Sequence, residues 1–433
     1  MKNLSNWLTW ISHVHTKEID LGLDRISFVA QRLDLLKKNC PIITVGGTNG
    51  KGSCVATLES IYHAAGYRVG AFTSPILFKH NEYVRIQKKE ASDEKFIRAF
   101  EKIESVRENI PLTFFEFNTL AAFLIFREEN LDVWLLEVGL GGRLDAVNIL
   151  DADVSVITSI ALDHTDRLGN TREAIGMEKA GIFRSNSLAV CGDENPPHTI
   201  IDYAKKINAI FFQRGKDFYF SENASSLREG RSPTKQSSEN WNWCTEKKHY
   251  ENLPHTSLSL QNVSTALMAI ELLQNKLPVK EEFIRKGLNE INLPARIQII
   301  PGKITTILDV SHNPAACALL SEKLTQLNCT GKIRAVFSML SDKDIFESIQ
   351  TIKKHFHEWH VAPLSIARGA SKPLLQENFS RAEIRNIIFY NSIEDAHANA
   401  MKNSKPGDCV VVFGSFHTVA KGVNQTGSSV SST

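Results

Sequence analysis

Thr44-Val45-Gly46-Gly47-Thr48-Asn49-Gly50-Lys51-Gly52-Ser53 is the stretch around which the rest of the chain arranges itself. The apolar run Pro41-Ile42-Ile43-Thr44 predicts a buried strand. Val55, Leu58, Tyr62 and Ala65 then keep helical spacing up to Gly66, a natural C-terminal cap. The glycines therefore lie on a strand-to-helix turn, where backbone N–H groups and the positive end of a helix face an anion. Gly47, Gly50 and Gly52 admit a phosphate chain close to the backbone, Lys51 reaches its terminal phosphates, and the Ser53 hydroxyl meets phosphate or Mg²⁺. The spacing is a variant of G-x-x-x-x-G-K-[ST], because Gly52 separates Lys51 from Ser53. The plainer alternative is a tight βα turn with an exposed lysine.

A chain of 433 residues exceeds one ordinary core, so two domains are expected. Hydrophobic content of 42% and charged content of 23% are those of a soluble globular protein. The net charge of +2 balances 50 basic against 48 acidic residues, which argues against a dedicated nucleic-acid or membrane-surface binder. The seven cysteines are scattered without C-x-x-C spacing, as expected of reduced thiols in a cytoplasmic protein. No run approaches the roughly 18 apolar residues of a membrane span. Leu4, Trp7, Leu8 and Ile11 predict an amphipathic N-terminal helix, not a signal peptide.

Outward from the loop, strands are predicted over 69–72, 133–138, 154–160 and 188–191, and helices over 93–108, 118–129, 171–181 and 262–275. The aromatic run 112–117 reads as irregular. Residues 221–250, polar but holding Trp241 and Trp243, read as irregular or as a β-hairpin, and Pro294 marks a linker. From residue 303 a second series follows, with strands over 304–310, 333–337, 359–362, 387–389 and 410–413 and helices over 315–327 and 344–357. Alternating strands and helices imply a mostly parallel sheet covered on both faces. The fold class is α/β: an N-terminal P-loop-type domain over residues 1–294 and a smaller Rossmann-like domain over 295–433.

Glu137 closes an otherwise apolar strand, and burying a carboxylate costs several kcal/mol unless it is paired or binds a metal. Ser74 and His164 are expected at the ends of neighbouring strands. The three together are candidates to hold one divalent cation near the phosphates. The alternative is a salt-bridged glutamate and a capping histidine.

Gly47-Thr48-Asn49-Gly50-Lys51-Gly52-Ser53, Thr73-Ser74-Pro75, Leu136-Glu137-Val138-Gly139-Leu140-Gly141-Gly142-Arg143-Leu144-Asp145 and Leu162-Asp163-His164-Thr165-Asp166 resemble the Mur ligase superfamily, and within it the folylpolyglutamate synthases. The resemblance continues through Glu178-Lys179-Ala180-Gly181-Ile182-Phe183-Arg184, Asp309-Val310-Ser311-His312-Asn313-Pro314, Asp342-Lys343-Asp344 and Gly414-Ser415-Phe416-His417-Thr418, in family order. It implies an ATP-dependent ligase that joins L-glutamate to dihydropteroate and to reduced folates through an acyl phosphate, with an N-terminal ATP- and pterin-binding domain and a C-terminal glutamate ligase domain. It implies that Thr48, Asn49, Gly50, Lys51, Gly52, Ser53, Asn262, Arg296 and Asp309 bind ATP. Ile19, Asp20, Leu21, Gly22, Phe115, Glu116, Phe117, Asn118, Leu144, Asp145 and Ala146 match the pterin-binding stretches. Ser74, Glu137 and His164 match Mg²⁺ ligands, and Lys179 a lysine that is often carbamylated and then holds a second Mg²⁺. Lys51, Lys179 and His312 stand nearest the chemistry. Its implied partners are small molecules alone, with neither nucleic acid nor membrane, and its implied state is a cytoplasmic monomer.

The chain departs from the family pattern at Ile76, where His is usual, and at Tyr83, Val147, Arg167, Ala295 and Ser311, where Arg, Thr, Trp, Gly and Ala are common. Two other readings stand beside the first: a Mur-type ligase for another acid and amino acid, and a nucleotide-hydrolysing switch protein. A switch has no use for a second α/β domain with its own polar motif.

Overall fold

The computed structural model describes residues 3–222, 240–327 and 329–423. The chain divides into two compact units, Met1–Asn292 and Leu293–Thr433.

The first unit is built on β1 (Ile42–Gly46), β2 (Val69–Phe72), β3 (Val84–Ile86), β4 (Lys89–Glu90), β5 (Val133–Glu137), β6 (Val154–Ile157), β7 (Leu188–Cys191) and β8 (Ile210–Gln213). They form one sheet in the order β4-β3-β2-β5-β1-β6-β7-β8. From β2 to β8 neighbours run parallel, while β3 and β4 add an antiparallel edge. Every residue of β1 and β5 is buried, as in strands covered on both faces. The register pairs Val45 with Glu137, Gly46 with Ile157 and Phe72 with Leu136, so the carboxyl ends of β1, β2, β5 and β6 finish level. In such sheets ligands bind beyond that edge.

The helix Lys51–Ala64 is buried along nearly its whole length. It packs against the sheet and against the helices Leu260–Leu272 and Glu281–Asn289. The latter approaches so closely that a side chain at Gly287 would meet the Ile61 Cα at 2.5 Å, and Ser60 Oγ donates to the Gly287 carbonyl at 2.8 Å.

Two expected element bounds change here, and the expected hairpin gains a third strand. The run 112–117 is not irregular, because the helix Phe114–Glu128 starts within it. The Glu116 N–H donates to Thr113 Oγ1 and the Thr113 N–H to Glu116 Oε2, a reciprocal cap worth about 1 kcal/mol. Strand β6 stops at Ile157, not at 160, because the next residues turn to bind the phosphate loop. Residues 221–250 contribute to a three-stranded antiparallel sheet of β9 (Phe218–Glu222), β10 (Asn240–Thr245) and β11 (His249–Pro254), while 223–239 lie outside the described residues. Trp241 and Trp243 are fully buried, and the Trp243 indole donates to Ser264 Oγ at 3.1 Å on the helix Leu260–Leu272.

The second unit carries β12 (Gln298–Ile300), β13 (Thr305–Asp309), β14 (Ile333–Phe337), β15 (Glu358–Val361), β16 (Ile387–Phe389) and β17 (Cys409–Phe413), in the order β12-β13-β17-β14-β15-β16. Only β12 runs antiparallel to its neighbour. Phe337, Trp359, Phe379 and Phe413 pack edge-on and tilted in its core. The helix expected over 344–357 stops at Ile352 and tightens into the 3₁₀ turn Lys353–His355. Among the described residues, no helix is long and apolar enough to cross a membrane.

Candidate active site

The phosphate loop is sewn to the end of β6. The Thr48 N–H donates to the Ser159 carbonyl at 2.7 Å, and Thr48 Oγ1 donates to the Ala161 carbonyl and accepts from its N–H, both at 3.1 Å. Thr158 Oγ1 and Ser159 Oγ both donate to the Asn49 carbonyl, at 2.6 and 3.1 Å. Gly50 starts the helix with φ 88°, in the left-handed region, and a side chain there would strike Asn262 Oδ1 at 2.2 Å. Asn262, 8% exposed, is thus brought against the loop by the helix Leu260–Leu272. Lys51 folds back over the turn and donates to the carbonyls of Gly47 and Thr48, each at 3.1 Å. Lys179, 5% exposed, donates to the Gly47 carbonyl at 2.9 Å. Two lysines therefore converge on one glycine of the loop.

The Gly139-Leu140-Gly141-Gly142-Arg143 turn packs on the Lys179 helix. A side chain at Gly142 would lie 3.0 Å from the carbonyls of Glu178 and Lys179, and Arg143 pairs with Glu178 at 2.8 Å. Asp145, 2% exposed, accepts from the N–H groups of Leu140 at 2.8 Å and Val147 at 3.1 Å. Burial raises its pKa to about 6 against the pull of those amides and of the Lys51 charge.

At the ends of adjacent strands, the Ser74 N–H donates to Glu137 Oε2 at 3.3 Å, and Glu137 is 3% exposed. A buried carboxylate beside a hydroxyl-bearing residue is a hard oxygen donor set that suits Mg²⁺, which keeps most of its positions for water and phosphate oxygens. Among the described residues, no group of three or more His, Cys, Asp or Glu side chains is gathered so as to hold a metal ion. His164 does not close a strand as expected. It stands seven residues beyond β6 and caps the short helix Thr165–Leu168 with φ 49°, because the intervening residues are committed to the phosphate loop.

Ile19, Asp20 and Leu21 line an open cleft of about 480 Å³ with Lys17, Glu18 and Arg167. Arg25, which the sequence reading missed, joins two of the matched stretches: it pairs with Asp20 Oδ2 at 2.8 Å and lies 3.4 Å from Glu116 Oε1. Gly22 follows in an extended backbone at φ 157°. The Phe115 ring covers Gly139, where a side chain would meet it at 2.6 Å, whereas Phe117 and Asn118 are fully enclosed. Ala146 and Leu144 flank Asp145 at the start of the 3₁₀ turn Ala146–Ile149.

In the second unit, Asp309, 4% exposed, accepts from the N–H groups of Ile297 and Ser311 at 2.9 Å and from the Ser311 hydroxyl. Burial raises its pKa against those bonds and the Arg296 charge. The Arg296 guanidinium lies 5.2 Å over the Phe416 ring, and the His312 ring is 6.4 Å from the same ring while its Nδ1 meets the Val310 carbonyl at 2.9 Å. Arg296, Asp309 and His312 are thus gathered around one strand end. Ala295 and Ile297 both hold left-handed backbones, at φ 57° and 49°. Ala295 stands where glycine is common, at the kind of angle that glycine adopts without strain.

The Mur ligase middle-domain model matches residues 45–273 and the Mur ligase glutamate ligase domain model matches residues 295–416. A dihydrofolate synthase/folylpolyglutamate synthase of Escherichia coli strain K12 is 43% identical over 96% of this chain and 94% of its own. The chain belongs to the Mur ligase family, among its folylpolyglutamate synthases. A protein of the same description from Haemophilus influenzae is 43% identical over 96% of each chain. The structure of E. coli FolC in complex with DHPP and ADP superposes with a TM-score of 0.90 at 42% identity, covering 98% of this chain and 97% of that one. A bifunctional folylpolyglutamate synthase/dihydrofolate synthase with Mn, AMPPNP and L-glutamate bound superposes with a TM-score of 0.88 at 43% identity, covering 97% of each.

Proposed function

We propose that this Mur-family ligase joins L-glutamate to dihydropteroate and to reduced folates at the expense of ATP. A carboxylate is a poor acyl donor, since an oxide ion would have to leave. Transfer of the γ-phosphoryl group to a carboxylate oxygen gives an acyl phosphate, and the α-amino group of glutamate then displaces phosphate. The single observation that carries the reading is the loop itself: Gly50 opens a buried helix with Lys51 and Lys179 both folded onto Gly47.

Thr48, Asn49, Gly50, Gly52 and Ser53 would cradle the phosphates, with Lys51 neutralising charge as it shifts to the transferred group. Asn262 would add an ATP contact in the first unit, and Arg296 and Asp309 of the second match further ATP-contacting positions. Ile19 to Gly22, Phe115 to Asn118 and Leu144 to Ala146 would hold the pterin. The cleft beside Asp20 and the Arg25 tie from Asp20 to Glu116 support that assignment. His312 would face glutamate. Ser74, Glu137 and His164 would hold Mg²⁺, whose contribution is to screen the phosphate charge. Lys179, as a carbamate, would hold a second ion; its burial beside the loop supports this role. We assign residues 1–294 to ATP and pterin binding and 295–433 to glutamate ligation, in a cytoplasmic monomer that binds neither nucleic acid nor membrane.

Phosphate release measured with dihydropteroate, and separately with tetrahydrofolate, should require the acid and glutamate together. Release in the absence of both would mark a nucleotide-hydrolysing protein.

A further inference from the structure

We propose that Arg85 is a positioning residue that ties the helix of the phosphate loop to the Ser74 corner through Glu59 and Thr73. The proposal rests on the reading that Ser74 and Glu137 hold the divalent cation.

Arg85 stands on β3 opposite Ala71 of β2, and its side chain is 19% exposed against 5% for its partner Glu59. Its Nε donates to Glu59 Oε1 and Oε2 at 3.2 and 3.0 Å, and its Nη2 donates to Oε2 at 2.8 Å. Its Nη1 donates to Thr73 Oγ1 at 2.9 Å. The planar fork of a guanidinium can hold two partners at fixed angles, which a lysine cannot.

Each end of the fork meets a different part of the site. Glu59 belongs to the helix Lys51–Ala64, about 12 Å along its axis from Lys51. Thr73 precedes Ser74, whose N–H reaches Glu137. Thr73 is held on its other side as well: its N–H donates to the Tyr83 carbonyl at 3.0 Å and its hydroxyl to the Glu82 carbonyl at 3.3 Å. The Glu82 carboxylate then gathers the N–H groups of Leu77, Phe78 and Lys79 at 2.6 to 2.8 Å, closing the corner.

Stability alone does not call for such a pair, since well-packed apolar residues often replace buried ion pairs at no loss. Charge alone points the wrong way. The Arg85 cation acts on Glu137 as well as on Glu59, and so opposes a metal ion there. What the guanidinium adds is geometry. It fixes the hydroxyl next to Ser74 relative to the helix that presents the phosphate loop.

The two effects have opposite signs, which makes the test decisive. Mn²⁺ binding to the purified full-length protein with AMPPNP is followed by electron paramagnetic resonance. Thr73→Val removes the hydroxyl, and with it the links to Arg85 and to the Glu82 carbonyl, and Thr73→Ser keeps both. Glu59→Gln with Arg85→Gln removes the fork without changing net charge. Thr73→Val and the double variant should bind Mn²⁺ about tenfold more weakly, the loss typical of removing a ligand's hydrogen-bonded support, while Thr73→Ser stays near wild type. If the double variant does not fold, Arg85→Lys, which keeps the charge and loses the fork, takes its place and should weaken Mn²⁺ binding as Thr73→Val does. Unchanged or tighter Mn²⁺ binding by folded Thr73→Val overturns the proposal. Glu137→Gln serves as reference: if it too leaves Mn²⁺ binding unchanged, the cation site itself has been misplaced.

Discussion

Gly50 shows how one residue can set the geometry of the loop. Its φ of 88° costs an ordinary residue roughly 1–2 kcal/mol, and its missing side chain is the space that Asn262 fills. Gly50→Ala should therefore act twice, by strain and by pushing Asn262 away. Calorimetric titration with AMPPNP should show affinity reduced at least tenfold and a lower melting temperature. Adding Asn262→Ala relieves the collision but not the strain, so stability should recover in part while nucleotide affinity should not. Full recovery of affinity in the double variant would deny Asn262 a place in nucleotide binding. Gly47 and Gly50 were recognisable as loop glycines from their place between an apolar strand and a helical repeat. Asn262 carries no local signal, since the contact that matters is made to residues some 200 positions earlier and exists only once the helices pack.

At the level of elements, the segment from Thr73 to Tyr83 is the one whose behaviour follows most directly from its surroundings. It ends in the 3₁₀ turn His80–Tyr83, and its His80 ring sits among Tyr83, Phe96, Phe100 and Phe114 at 4.8 to 6.2 Å. Burial pushes the His80 pKa down to about 4. The unfolded chain binds this proton near pH 6.5 while the folded chain refuses it until about pH 4. The contribution to stability is therefore complete above pH 6.5 and is lost as the pH falls toward 4. Between pH 7 and pH 5 the wild type should lose about 2 kcal/mol relative to His80→Phe, measured by urea unfolding followed through tryptophan fluorescence. Parallel curves for the two proteins would mean that His80 is hydrated. The same scale separates what was legible from what was not. Strands β1, β5 and β7 stand out as apolar runs, and Glu137 as the polar residue that ends one of them. The start of the helix Phe114–Glu128 was written in Thr113 and Glu116, yet the aromatic residues between them mimic a strand-like run. The end of β6 was not written anywhere nearby. Val154 to Ile160 reads as one stretch, but Thr158 and Ser159 spend their hydroxyls on Asn49, and His164 is carried off the strand with them.

Across the whole molecule, the alternation of strands and helices gave two α/β units because parallel strands need helical crossovers. The two units hold different groups. The first holds the anion-binding turn with two lysines on Gly47, and the second holds a buried carboxylate, Asp309, near the Arg296 guanidinium. A protein that only hydrolysed nucleotide would direct water at the γ-phosphorus, and every oxygen gained by phosphate would come from solvent. A ligase that activates its acid directs a carboxylate oxygen at the same atom. That oxygen stays with phosphorus when the amine displaces the leaving group, because the bond that breaks lies between it and the acyl carbon. Dihydropteroate labelled with ¹⁸O in its carboxylate should therefore deliver one labelled oxygen to phosphate for each amide formed, read by mass spectrometry of the phosphate. Retention of all label in the amide product and unreacted acid would exclude the acyl phosphate. The control is the same incubation without glutamate: little labelled phosphate should then leave the enzyme, since the amine performs the displacement that frees it.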